Sequence, residues 1–266
     1  MRKKLNLALC LLLSVLLCAC AVAPTAPATQ ETTAATQATT IATTAATQVT
    51  ETTAPLHSPL YLPQYTTQQV FQYFEEVVLQ AEYSDGTGDT SLVQKWLQPL
   101  RYRIYGDATE TDLAVLTALF DQLNEIPGFP GIYAAEEGEP GNFTISFLSR
   151  EDFNISFQEF IGGEDAFGAA RFWYYTATNE IHTATVGYRT DMEQASRNSV
   201  LVEEIINTLG ISDTTLRTDS IVYQYSDDNT ALSDMDLLLL NLLYDPSISC
   251  SMDVAGCRAA IEALYY

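Results

Sequence analysis

Glu203 and Glu204 stand four and three residues before Asn207, and Gly210 and Asp213 follow at intervals of three. On a helix Glu203 and Asn207 lie one turn apart and point the same way. Together with Glu204 they occupy a polar arc about 100° wide, while Leu201, Val202, Ile205, Ile206 and Leu209 fill the other side. Gly210 suits a left-handed exit from such a helix. Glu203, Asn207 and Asp213 could offer a cation oxygen only, and Glu204 stands beside them as a further carboxylate. Zinc prefers imidazole and thiolate, and an amide serves it poorly. Calcium accepts oxygen but usually wants six or more ligands. No cofactor is therefore expected; zinc and calcium are the alternatives to a solvated acidic helix face.

Other groups carry less. The chain has two histidines, His57 and His182, and no nucleophile motif surrounds any Ser or Cys, so a histidine-dependent triad lacks parts. Glu151-Asp152, Glu164-Asp165 and Asp227-Asp228 are paired acids of the kind glycoside hydrolysis uses, but such pairs arise by chance among 34 acids. Phe172-Trp173-Tyr174-Tyr175 alternates as a strand would. Half of it should be core and the other half is free to line a groove. Cys250 and Cys257 either close a small disulfide loop, as suits an exported chain, or remain thiols, because a helix between them holds their side chains apart.

The elements that must position these groups begin near Leu56. Thr66-Thr-Gln-Gln69 is a capping-box pattern, followed by Val70, Phe71, Phe74, Val77, Val78 and Ala81 at helical spacing. Asp85–Gly88 makes a loop. Leu100, Tyr102 and Ile104 alternate as a strand, and Gly106-Asp107 turns the chain into a helix from about Thr109. Pro127–Gly131 is a loop. Phe143–Phe147 and Phe153–Phe157 both alternate and are expected as strands, as are Arg171–Thr176 and Ile181–Tyr188. Helices are expected over 193–209 and 234–244, and a short one from Asp253. The fold class is mixed α/β (α+β), with a helical C-terminal lobe.

Order and punctuation over 203–246 resemble the active-site half of a metzincin metallopeptidase, H-E-x-x-H-x-x-G-x-x-H, then a turn S-I-M-Y, then L-S-x-x-D leading a last helix that ends in L-Y. Here the three histidine places hold Glu203, Asn207 and Asp213, which the resemblance makes the metal-ligand positions, with Glu204 in the place of the base that polarises a water; the turn is Ser220-Ile-Val222-Tyr223, and the last helix runs from Leu232-Ser-Asp-Met-Asp236 to Tyr244-Asp-Pro246. From about residue 65 the chain resembles the bacterial domain-of-unknown-function family 2927, itself metzincin-like. The resemblance rests on Phe74-Glu-Glu, Ala81-Glu-Tyr83, Lys95-Trp96 leading a strand, the strand ending at Gly106, Phe167-Gly168, Glu203-Glu204, Asn207, Leu209-Gly210 and Leu232…Asp236…Pro246. It implies a zincin-type fold: a twisted mixed sheet, one helix packed on it, a second bearing the site, and a late helix. It supplies no reaction.

The chain also carries export signals. Arg2-Lys3-Lys4 precedes the apolar run Leu5–Leu17, too short for a comfortable membrane span. Leu17-Cys-Ala-Cys20 then looks like a bacterial lipobox. The expected organisation is a lipoprotein signal peptide over 1–19, a tether over 20–56, and one metzincin-like domain over 57–266. Acylation of Cys20 would anchor the chain to the outer face of the cytoplasmic membrane or the cell surface. Thirteen of the 32 residues from Pro24 to Pro55 are Thr, and with no apolar periodicity nothing there can be buried. Such a tether spans roughly 30 Å as coil and about 100 Å fully extended. Without Arg2, Lys3 and Lys4, nine bases face 34 acids, a balance that repels nucleic acid and other polyanions. Three functions follow: a non-catalytic lipoprotein that binds an extended peptide or envelope partner, an atypical metallopeptidase, and a structural lipoprotein of the envelope.

Overall fold

A computed structural model describes residues 58–79, 92–157 and 166–266, all within the compact unit Thr53–Tyr266. Cys20, the tether, His57, Ala81–Tyr83, the Asp85–Gly88 loop and Glu164-Asp165 lie outside the described residues. The elements run α1 (Thr67–Leu79), β1 (Lys95–Trp96), β2 (Leu100–Gly106), α2 (Glu110–Asn124), β3 (Ile132–Ala134), β4 (Phe143–Leu148), α3 (Arg150–Phe157), β5 (Gly168–Tyr175), β6 (Glu180–Arg189), α4 (Gln194–Asn207), α5 (Asp234–Tyr244) and α6 (Val254–Leu264). The α/β class is as the sequence predicts.

The strands form one mixed, mostly parallel sheet. β2 lies between β3 and β4, and β4 pairs in parallel with the second half of β6. The short β1 meets the first two residues of β6. β5 is the antiparallel exception: it pairs with β6 over its whole length and, among the described residues, with no other strand. Helices cover both faces. A methyl group on Gly168 would meet Val200 of α4, whereas one on Gly187, which sits opposite Ala169, would meet Phe157 of α3. The main core joins Val70, Phe71 and Phe74 of α1, Ile145 and Val186 of the sheet, Leu201 and Ile205 of α4, and Leu239 and Leu242 of α5.

Residues 153–157 correct the sequence reading, because they are helix rather than strand. Ser149 caps it, its hydroxyl accepting from the Asp152 N–H at 3.1 Å. Phe153 and Phe157 then meet one turn apart, stacked at 5.2 Å. Apolar residues four apart satisfy both periods; the middle one decides, and Ile155 is 69% exposed. The short strand β3 carries too few residues to show a period.

Candidate functional site

α4 is fixed at both ends. At its start, Arg197 Nε donates to Asp112 Oδ1 at 3.0 Å and Gln194 Nε2 donates to the same oxygen at 2.8 Å. Asp112 is also the third residue of α2 and closes the capping box that begins at Thr109. At its end, the Trp96 indole donates to the Thr208 carbonyl at 2.8 Å and the Tyr244 hydroxyl to the Leu209 carbonyl at 3.2 Å. Lys95, buried beside Trp96, puts its ammonium among the carbonyls of Leu243 (2.8 Å) and Ile248 at the end of α5. A cation there meets the negative end of the helix dipole, though burial still lowers its pKa. One two-residue strand thus caps two helices.

The helix leaves through Gly210 in the predicted left-handed conformation, φ +94°, with room for no Cβ: one would lie 2.1 Å from the Gln94 carbonyl oxygen. Gly210→Ala should cost about 3 kcal/mol, as backbone strain and clash add. Gly138→Ala has a similar φ of +87° with nothing within 4 Å, and should cost only about 1 kcal/mol. Urea unfolding of the pair separates clash from conformation.

Glu203, Glu204 and Asn207 are half-buried, and the apolar residues assigned to the opposite side of the helix are buried. The structure brings Asn207 and Asp213 together: Asn207 Nδ2 donates to Asp213 Oδ1 at 3.0 Å. Asn207 Oδ1 is buried without a hydrogen-bond partner. Glu204 lies at the start of β5, where a Cβ on Gly168 would stand 2.7 Å from its Oε1. Beneath α4, Tyr188 donates to the Leu201 carbonyl at 2.9 Å. Burial first, then the charges of Glu204 and Glu203, push its pKa well above the usual phenol range.

The segment carrying Asp213 is held from two sides. The Ser212 N–H and hydroxyl donate to the Val77 carbonyl, and the Thr215 N–H donates to Glu76 Oε1 at 3.0 Å. Thr214 bridges Tyr223, in the turn that includes the buried Val222. That turn is pinned to α5 by Asp236, which accepts from Ser220 Oγ at 2.7 Å and the Ile221 N–H at 3.1 Å. Tyr73 donates in turn to Ser220 Oγ at 2.8 Å. Burial, then the charge of Asp236, raises its pKa far above the ordinary phenol value, so it stays a donor.

The donor set fits zinc poorly. It offers two carboxylates and an amide whose N–H₂ is turned toward one of them. Among the described residues no three side chains of His, Cys, Asp or Glu are grouped to hold a metal. His182 stacks on Tyr175 at 4.3 Å with Nδ1 2.9 Å from Thr183 Oγ1. Glu151-Asp152 forms the first turn of α3, and Asp227-Asp228 lies between Tyr223 and α5. Cys250 and Cys257 are both free thiols. Cys250 points at the Lys95 carbonyl, while Cys257, on α6, is buried and its pKa is pushed by burial to about 11. The aromatic run is less buried than half: Phe172 is partly covered, but Trp173, Tyr174 and Tyr175 are exposed.

The family described as "Protein of unknown function (DUF2927)" matches the chain over residues 67–263. This chain belongs to the DUF2927 family. No curated protein matches it. The DUF2927 match runs from the first residue of α1 to the last but one of α6. Several residues that hold the DUF2927 domain's candidate site together, Asp112, Arg197 and Tyr73, are not singled out by the sequence, and Lys95 stands out there only as leading a strand. Thr109-x-x-Asp112 fits a capping-box reading; nothing in the sequence pairs Asp112 with Arg197.

Proposed function

We propose that the chain is a membrane-anchored extracytoplasmic lipoprotein whose DUF2927 domain is a metzincin-like scaffold without a catalytic metal, binding an extended peptide or an envelope protein. The lipobox at Cys20 and the Thr-rich tether support the anchoring. The helix α4, its left-handed exit at Gly210, the buried turn around Val222 and the late helix α5 support the scaffold reading, since they follow one another along the chain in the order that the metzincin resemblance implies. The single observation that carries the non-catalytic reading is the Asn207–Asp213 hydrogen bond. Two positions that would serve a metal serve one another.

One observation favours a metal-dependent hydrolase with Glu203, Asn207 and Asp213 as ligands and Glu204 as base: the buried Asn207 Oδ1 lacks a donor. Elemental analysis and calorimetric titration of the purified full chain with zinc and calcium decide between the two. The expected result is under about 0.1 zinc per chain and no heat at micromolar metal. One tightly held zinc per chain, lost in Glu203→Ala, would overturn the proposal.

A further inference from the structure

We propose that the outward face of β2, with its neighbours on β3 and β4, binds an acidic glycan, a sugar polymer with carboxylates on some of its rings. This second site uses none of the residues around α4.

The two faces of the sheet differ in what covers them. Leu100, Tyr102 and Ile104 of β2 lie in or against the main core, level with Phe143 and Ile145 of β4. Strand alternation sends Arg101, Arg103 and Tyr105 to the opposite face. Tyr133 of β3 is in register with Arg101, Thr144 of β4 with Arg103, and Ser146 with Tyr105. α3 packs on this face at Gly187 and Ala169, whereas Arg101, Tyr105 and Tyr133 are exposed. β4 and β6 stand between β2 and β5, so the strip lies about 14 Å from the antiparallel edge.

The strip is cationic in an acidic chain. Only 12 bases face 34 acids, and Arg189, Arg197 and Arg217 are each paired with an aspartate. Among the described residues neither Arg101 nor Arg103 has a carboxylate in ion-pair reach. Arg103 donates to the carbonyls of Glu139 and Glu136, both at 2.6 Å, which occupy N–H groups without cancelling the charge. Arg101 lies over the Tyr133 ring at 5.2 Å, and its guanidinium makes no hydrogen bond within the described residues. That ring is seated in turn against Gly131, where a Cβ would lie 2.5 Å from its hydroxyl. Two cations about 7 Å apart on one face repel, and an anion laid over them removes that cost. A guanidinium held flat by a ring offers its fork of donors to a carboxylate with little freedom left to lose.

The groups beside the arginines suit a sugar. Tyr105 is 52% exposed and gives an apolar ring face with a polar tip, on which the C–H face of a pyranose packs. The hydroxyls of Thr144 and Ser146, in register beside Arg103 and Tyr105, have no hydrogen-bond partner among the described residues and can serve sugar hydroxyls. A peptide carboxylate or a phosphate would use the arginines and leave these groups idle. The acid excess of the whole chain still repels a dense polyanion, which favours a polymer whose charges are spaced by neutral rings.

The test uses the full lipidated chain in detergent and an end-labelled hyaluronan hexasaccharide, in which uronate and neutral rings alternate, read by fluorescence anisotropy. It should bind about tenfold tighter than its carboxyl-reduced form, and about tenfold tighter than a Gly-Glu peptide or a glycerol-phosphate oligomer of equal charge. Arg101→Gln with Arg103→Gln should weaken it about tenfold. Arg101→Lys, which keeps the charge and loses the fork, should weaken it about threefold. Tyr105→Ala, at an exposed position, should weaken it about fivefold with an unchanged urea midpoint, which keeps the test decisive if the double variant unfolds. Equal binding of the acidic and reduced glycans overturns the carboxylate. Equal binding of the peptide or the phosphate oligomer overturns the glycan. Binding indifferent to both the arginine pair and Tyr105 overturns the β2 face, and no binding overturns the proposal outright.

Discussion

Asp236→Ala should lower the unfolding free energy by about 4 kcal/mol, read as a shifted urea midpoint with an unchanged slope. The carboxylate is buried and takes four donors: Ser220 Oγ on Oδ1, and the Ile221 N–H, Ser233 N–H and Ser233 Oγ on Oδ2. Ser233 is the N-cap of α5, and its hydroxyl accepts from the Asp236 N–H, so the substitution breaks a capping box worth about 1 kcal/mol. The remaining loss comes from the Ile221 N–H and the Ser220 hydroxyl, stranded in the core at about 1–3 kcal/mol each. Asn should rescue only in part: its oxygen can serve the three donors now on Oδ2, but its N–H₂ then faces the Ser220 hydroxyl, which already accepts from the Tyr73 hydroxyl and the Val222 N–H. Tyr73→Phe removes only the outermost link and should cost about 1 kcal/mol. The consequence reaches the candidate site. The turn released from α5 is the one bridged to Thr214, next to Asp213, so Asp236→Ala should also loosen the hold on the Asn207–Asp213 pair.

Asp236 also shows what the sequence discloses. Leu232-Ser-Asp-Met-Asp236 is legible as punctuation before the last helix because a capping box is local: Ser and Asp three apart, then an apolar run. The same holds for Thr66 and Gln69, for Thr109 and Asp112, and for Gly210, whose need for positive φ follows from its place after Leu209. The alternation of β4, β5 and β6 was legible for the same reason. The strand assigned to 153–157 failed because two phenylalanines four apart fit either period, and only the Ser149 cap and the exposed Ile155 break the tie. The aromatic run of β5 was over-assigned to the core. Its exposure follows from β5 being a sheet edge, which depends on strand order and not on the strand's own residues. The convergence of Asn207 with Asp213 lies between these cases. The spacing permits it, and the clamps at Val77, Glu76 and Val222 enforce it.

Asp112 gives the other large effect, and it titrates. Asp112→Ala should cost about 4 kcal/mol at neutral pH, because it leaves the Arg197 guanidinium buried without its carboxylate; both side chains are nearly inaccessible. Burial alone would raise the Asp112 pKa, but hydrogen bonds from Gln194 and from the Thr109 N–H and hydroxyl, with the charge of Arg197, outweigh it and the pKa is lowered. A carboxylate with a lower pKa folded than unfolded contributes stability that is fully present above its unfolded pKa of about 3.9. That contribution is lost as pH falls through the folded value. The gap in unfolding free energy between the parent chain and Asp112→Asn should therefore hold steady from neutral pH to about 5, and close as acid protonates Asp112. Arg197→Met in the Asp112→Ala background should recover part of the loss, since an apolar chain of similar length ends the uncompensated charge. If the double variant is no more stable than Asp112→Ala, the cost lies in the α2 cap rather than in the ion pair. The start of α4 would then be held by packing against α2 alone, leaving Glu203 and Glu204 placed by the C-terminal clamp of Trp96, Tyr244 and Gly210.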